Sequence, residues 1–344
     1  MNKKVKGQTA YTISNNLIMK KVLKRTAYFL LSLIVILVVA ALIYVSYWRN
    51  SSTIDTFHTF NEPEGVSYSN ISWQGEYLDG KKVEKYALYL PVKIKGLKGN
   101  LFMQFDSGTE RTVIYGKTLS ELLKSDNSVE TYYNSDSVKY MKNPMISIGD
   151  SELITEKIRI SSKMGSSEID TTQILIGTLG FDVFVDRTLI LDFKRDRLAV
   201  TQKQPEELDY DLTYVDKASV DKFPLLVPAK IGSKKTRLYY DTGSSMFPII
   251  TSNKRLEKLN KNRTDSLCCI TNWGREYLAY QKELNEPIKI GESTYENQSV
   301  YSTQVLDMVN YVPSWFIYGL TGNQLFEDKV LVIDTRSNLM GIEN

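Results

Sequence analysis

Histidine is almost absent from this 344-residue chain: there is one, His58, alongside only two cysteines, the adjacent Cys268 and Cys269. A Ser-His-Asp or Cys-His device would have to recruit His58 from a stretch just beyond a long apolar run, a poor platform for catalysis. Zinc sites built from His and Cys lack ligands for the same reason. Neighbouring cysteines make strained disulfides, so the chain is not a disulfide scaffold. The pair is expected as buried strand residues, with an intermolecular bridge as the alternative. There is no G-x-x-x-x-G-K-[ST] loop, and GTLG at 177–180 is too short for a dinucleotide fingerprint. No metal and no cofactor is expected. Carboxylates are the acid–base groups left.

Net positive charge is confined to the N-terminus. Residues 1–25 hold Lys3, Lys4, Lys6, Lys20, Lys21, Lys24 and Arg25 with no acid, while the whole chain is only +3, so the remainder is net acidic. The body therefore has no electrostatic footprint for nucleic acid. Next comes AYFLLSLIVILVVAALIYVSY, residues 27–47, 21 uncharged and mostly apolar residues. As a helix this run would rise about 31 Å, the depth of a bilayer core. Tyr44, Tyr47 and Trp48 stand where an interfacial aromatic belt would lie, and only Arg49 follows closely. Residues 1–26 are thus expected as a cytoplasmic tail, 27–48 as a transmembrane anchor, and the body on the extracytoplasmic side. A cleaved signal peptide competes: Met19 opens MKKVLKR, a credible basic n-region, and cleavage would leave a secreted body. The run exceeds a usual h-region and no A-x-A site follows it, which favours the anchor. Residues 49–83 read as a stalk, a pro-segment or an extra strand on the body. Sequons at Asn70, Asn262 and Asn297 matter only in a glycosylating secretory pathway.

The body is written twice. LYLPVKIKGLKGNLFMQFDSGTERTVIYG (88–116) is matched by PLLVPAKIGSKKTRLYYDTGSSMFPIITS (224–252), which sets Asp106 and Asp241 at the same point, 135 residues apart. MISIGDS (145–151) matches PIKIGES (287–293), and GTLGFDVFVDRTLILDFKRDRLAV (177–200) matches GLTGNQLFEDKVLVIDTRSNLMGI (319–342), both at a spacing of 142. Six of those last 24 positions are identical and most others swap like for like, as internal repeats do. The change from 135 to 142 places seven extra residues in the second copy between its Asp and its KIG, where a loop could absorb them. Strand-like runs dominate. TLSELLKS (118–125) and NKRLEKLN (253–260) read as short helices. The halves are expected at 84–201 and 222–344, joined by the polar, acidic linker 202–221 that carries Pro205.

Two copies of D-[ST]-G-[ST], each flanked by strands and followed by an apolar-apolar-Gly element (LIG at 175–177, IYG at 317–319), resemble the pepsin/retropepsin clan of aspartic peptidases. The resemblance covers roughly residues 84–344. It implies a mainly β, bilobal double barrel with Asp106 and Asp241 facing each other across a cleft. It implies too that Ser107 and Thr242 clasp across the pseudo-twofold axis and that Thr109 and Ser244 hydrogen-bond the carboxylates. Gly108 and Gly243 would let the chain turn tightly beneath each acid. Two carboxylates held close cannot both ionise; the ionised one takes a proton from water while the protonated one donates to a scissile carbonyl. Both halves lie on one chain, so a monomer is expected.

Each half also has a candidate flap, VETYYNSDSVKYMKNP (129–144) and LCCITNWGREYLAYQ (267–281), and Tyr140 is the nearest candidate for a substrate-covering tyrosine. Glu110 and Arg111 depart from the neutral residues usual after the first Asp loop. A nearby guanidinium would hold a carboxylate ionised, unless the two are solvated or paired to each other. The expected function is a membrane-anchored, exported aspartic endopeptidase acting on peptide or protein. The alternative is a non-catalytic peptide- or protein-binding module of the same fold.

Overall fold

The computed structural model describes Lys24, Thr26, Tyr28, 30–36 and 39–40 near the N-terminus, then 57, 59–125, 128–259, 265–272 and 275–343. Residues 1–53 and 54–344 form two separate compact units. The described residues of the first are helical. Among the described residues no helix is long and apolar enough to cross a membrane. The rest of the 27–48 expectation, with Trp48 and Arg49, lies outside the described residues, as does His58.

The second unit is mainly β, and its hydrogen-bonding repeats the duplication seen in the sequence. In the first half Leu101–Phe105 lies parallel to Ile174–Leu179, which is antiparallel to Val113–Tyr115. The second half repeats both senses with Lys234–Tyr240, Gly319–Thr321 and Ile249–Thr251. Outward, Val113–Tyr115 meets Lys157–Ser161 in parallel, as Ile249–Thr251 meets Ser299–Thr303. On the other flank Lys81–Ile94 and Leu226–Ile231 each pair antiparallel with the strand that leads into the Asp. Nine strands follow one order in both sheets, and the first sheet adds Thr59–Asn61 and Ser72–Leu78. Part of the 49–83 segment is therefore sheet of the body.

Gly177 and Gly319 explain how a strand can be inserted between two others. A Cβ at either would collide with the carbonyl of the strand it crosses, Val113 or Ile250. Only glycine permits that approach. The sheets stay open: their ends are Thr59–Asn61 and Thr131–Tyr133 in one, Ser293–Tyr295 and Asp265–Asn272 in the other. These ends do not pair, so two closed barrels are not formed among the described residues.

The halves are joined by a shared sheet. Thr188–Asp192 pairs antiparallel with Val330–Asp334, and Ile190 faces Val332. These two are repeat mates at the 142-residue spacing, so the pseudo-twofold axis passes through their pairing. Asp192, retained in both copies, is buried and accepts from Arg195 at 2.9 Å and Arg197 at 2.8 Å. Its mate Asp334 accepts from Arg336 at 3.0 Å. The expected linker is partly structured, since Thr213–Tyr214 adds a strand to the same sheet through Leu339–Glu343. Below, Phe105, Phe181 and Phe184 pack at ring separations of 4.9 to 6.0 Å. Fully burying such a side chain contributes about 1.5–3 kcal/mol, and this packing fixes the Asp106 loop from beneath.

The expected helices form at Gly116–Leu122 and Asn253–Glu257. The seven extra residues of the second copy lengthen its outer hairpin rather than a loop. Its strands, Asp265–Asn272 and Arg275–Glu283, have eight and nine residues, against three and four in Thr131–Tyr133 and Lys139–Lys142. Cys268 and Cys269 lie in the first of these strands, at a register shift between Leu267 and Ile270. Their burial lies outside the described residues.

Candidate active site

Each strand that leads into a D-[ST]-G-[ST] turn ends by handing its Asp backbone N–H to the inserted strand. Asp106 N donates to the Leu179 carbonyl at 3.0 Å, and Asp241 N to the Thr321 carbonyl at 2.9 Å. The next residues cross the axis. Ser107 N donates to Thr242 Oγ1 at 2.8 Å and Thr242 N to Ser107 Oγ at 3.0 Å. Thr242 Oγ1 in turn donates to the Phe105 carbonyl at 3.0 Å, and Ser107 Oγ to the Tyr240 carbonyl at 3.4 Å. Ser107 and Thr242 are fully buried. The reciprocal bonds satisfy both backbone donors in a dry setting where an orphan would cost about 1–3 kcal/mol.

The carboxylates are held in the same matched way. Asp106 accepts from Gly108 N at 2.9 Å and from the Thr109 hydroxyl at 2.9 Å. Asp241 accepts from Gly243 N at 2.8 Å and from the Ser244 hydroxyl at 2.8 Å. The two acids are close enough to act on each other's titration. Each lies on the other's glycine: a Cβ on Gly108 would strike the Asp241 carboxyl, and one on Gly243 the Asp106 carboxyl. Burial raises both carboxyls above the usual range, and the Asp241 charge raises Asp106 further. Such a pair shares one proton and titrates as a unit.

The acids sit in a cleft of about 840 Å³ with unlike walls. Tyr86, Tyr89, Gln104 and Tyr115 line it from the first half, and Met246, Phe247, Ile250 and Leu320 from the second. Sequence reading missed Tyr239 and Gln104, two residues before the two acids. Strand alternation was the available signal, because side chains two apart share a face. The Tyr239 hydroxyl is buried and has no hydrogen-bond partner among the described residues. Burial raises its basicity most, followed by Asp241, Asp106 and Glu110.

Tyr140 is not at the cleft. It lies on Lys139–Lys142, stacks on Tyr132 at 5.7 Å and has the Lys157 ammonium 5.8 Å away. Its short hairpin finishes the outer edge of the sheet through Lys157–Ser161 and does not line the cleft. A different hairpin does. Ser72–Leu78 pairs with the first part of the 14-residue strand Lys81–Ile94. Its turn is set by Asp79 and Gly80 at positive φ. Gln74, Gly75, Glu76 and Tyr86 face the cleft from it. Its tip residue Leu78 is 1% exposed and packs among Met246, Phe247 and Ile250 of the other half. The longer hairpin of the second half contributes Ile270 and Tyr277 to the same cleft.

Glu110 and Arg111 act away from the direct contacts of the pair. The Glu110 charge reaches Tyr239, and the Arg111 charge pulls on a third acid, Asp182. Asp182 is buried and takes Thr112 N on both oxygens, at 3.0 and 2.9 Å, with the Thr112 hydroxyl at 2.7 Å. It ties the end of the Asp106 loop to the Phe181–Phe184 turn. Its repeat mate is the neutral Gln324, a contrast that could have flagged it. Burial pushes the Asp182 carboxyl up to about 7, against the pull of Thr112 and Arg111. An acid raised in the native state keeps its proton to higher pH than in the unfolded chain, so stability falls as pH rises from about 4 to that value. The stability of Asp182→Asn relative to the native chain should therefore climb across that window, by up to about 4 kcal/mol. Denaturant unfolding at both ends of the window reads the slope separately from any constant cost of the amide. A pH-independent difference would mean that Asp182 stays charged throughout.

Among the described residues no group of His, Cys, Asp and Glu could hold a metal ion. No protein-family model matches this chain, and no curated protein matches it.

Proposed function

We propose that the chain is an aspartic endopeptidase of the pepsin/retropepsin type, in which water held between Asp106 and Asp241 hydrolyses a peptide bond. The observation that carries this reading is the matched pair of part-buried carboxyls, each held by its own loop and lying on the other's glycine. One ionised acid removes a proton from the water as its oxygen bonds to the scissile carbonyl carbon. The protonated partner donates to the carbonyl oxygen, and the tetrahedral species then collapses with a proton passing to the leaving amine. Ser107, Gly108, Thr109, Thr242, Gly243 and Ser244 orient the acids and touch no reacting atom. The long cleft fits an extended peptide docked as a strand beneath the Ser72–Leu78 hairpin, in place of a Tyr140 flap. The double-lobed peptidase fold, the anchor through 27–48 and the exported body belong to the same proposal.

The test is cleavage of a mixed peptide library by the full-length chain in detergent from pH 3 to 8, with a peptide whose scissile amide is replaced by a hydroxyl-bearing tetrahedral carbon as competitor. Because one proton must sit on the pair, the rate should be bell-shaped in pH. The competitor should bind at least about 100-fold tighter than the parent peptide. Peptide binding without turnover would instead favour the binding module.

A further inference from the structure

The turn Gln304–Tyr311 and residues 312–318 after it hold large apolar side chains in water. Met308 and Trp315 are 70% exposed and Tyr311 is 92% exposed, with Phe316 against Trp315 at 6.0 Å. A loose loop would explain this, but the segment is pinned. Arg255, buried on Asn253–Glu257, donates to the Ile317 and Tyr318 carbonyls at 2.6 and 2.7 Å and also to those of Val309 and Val312. The hydroxyls of Thr236 and Thr251 hold the Ser314 and Tyr318 carbonyls. The apolar side chains are presented on a fixed backbone, as at an interaction site.

The duplication supplies a control. The same connection one repeat earlier, 162–176, reads SKMGSSEIDTTQILI, with Ser166 where Met308 stands and Gln173 where Trp315 stands, while Ile169 and Ile174 stand for Tyr311 and Phe316. The fold therefore does not require apolar residues at the Met308 and Trp315 positions.

The surroundings say what the patch meets. Lys254 and Lys258 are exposed on and just after the helix that carries Arg255, and Lys234 and Lys235 on the strand beside residues 314–318. Arg237 lies over Phe316 at 5.7 Å. These cations outnumber the acids Glu257 and Asp307. Aromatic rings with adjacent cations suit a bilayer interface, rings at headgroup level and ammonium groups on phosphates. The apolar run 27–47 would hold the body beside a bilayer at high local concentration, so a weak contact suffices. We infer that Met308, Tyr311, Trp315 and Phe316 dock the body onto an anionic bilayer surface, whether or not the acid pair is hydrolytic. Val305 and Leu306, in the same turn, line the cleft. Docking sets the cleft beside the lipid surface.

The experiment reconstitutes the full chain and Trp315→Phe into phosphatidylcholine vesicles with or without phosphatidylglycerol, the acyl chains carrying bromine or not. The difference between the two proteins isolates Trp315 emission. Bromine should quench it at least about twofold in anionic vesicles, and Lys254→Glu with Lys258→Glu should abolish most of that quenching. Equal emission with and without bromine would overturn the inference. Unquenched emission that shifts with protein concentration would overturn it too, and assign the patch to contact between copies.

Discussion

Asp106→Asn and Asp241→Asn are each expected to lower kcat/KM for peptide cleavage by about 10³-fold, while raising the thermal midpoint at neutral pH. Asparagine is nearly isosteric and keeps an oxygen for Gly108 N or Gly243 N. It can neither take a proton from water nor give one to a carbonyl, which removes the chemistry and leaves the architecture. The stability sign follows from the raised carboxyls. The native state resists ionising acids that the unfolded chain ionises freely, so these two groups cost stability as pH rises through their native range. Replacing one removes a buried charge and relieves its partner. The gain in midpoint should shrink as pH falls through about 4, where the unfolded chain takes up the protons as well. Initial rates and thermal melts across pH measure both effects. A variant that keeps more than about a tenth of the native rate would rule out the shared-proton mechanism.

Gly108→Ala and Gly243→Ala are expected to be nearly as damaging to activity and far worse for the fold. The added methyl on Gly108 would enter the space of the Asp241 carboxyl, and that on Gly243 the space of Asp106. Neither acid can swing aside cheaply, because each is bonded to a backbone N–H and a hydroxyl of its own loop. Overpacking of this kind costs about 1–3 kcal/mol. Any relief must part the acids, so kcat/KM should fall at least about 100-fold. The two variants should match in size, since the collision is the same seen from either side of the axis. Melting and single-turnover cleavage test this. An alanine variant at either glycine with native midpoint and rate would show that the loops are further apart than described.

The acid pair was legible because the duplication doubled a weak motif: one Asp-Thr-Gly is a turn, but two at equivalent points imply that they meet. The reciprocal bonds of Ser107 and Thr242 were reachable only through the family resemblance, since nothing in local sequence says that two turns 135 residues apart touch. Tyr140 misled because its hairpin holds the expected place in chain order, yet strands of three and four residues cannot reach the cleft. The Ser72–Leu78 hairpin was hidden because it precedes the repeat and has no second copy to announce it. Asp182 was passed over because it belongs to no motif and only the contrast with Gln324 in the other copy singles it out. The sequence alone left 49–83 open among three readings because short polar-apolar runs do not report which sheet will take them.

A peptide has a direction, and a true twofold axis cannot tell one direction from the other. The backbone around Asp106 and Asp241 is so evenly matched that it would accept a chain entering from either end. The choice of polarity must therefore fall to what the duplication did not preserve. Tyr86, Tyr89, Gln104 and Tyr115 stand on one wall where Met246, Phe247 and Ile250 stand on the other, and a hairpin without a second copy reaches across only one way. Divergence between the copies, more than their likeness, would orient what is bound.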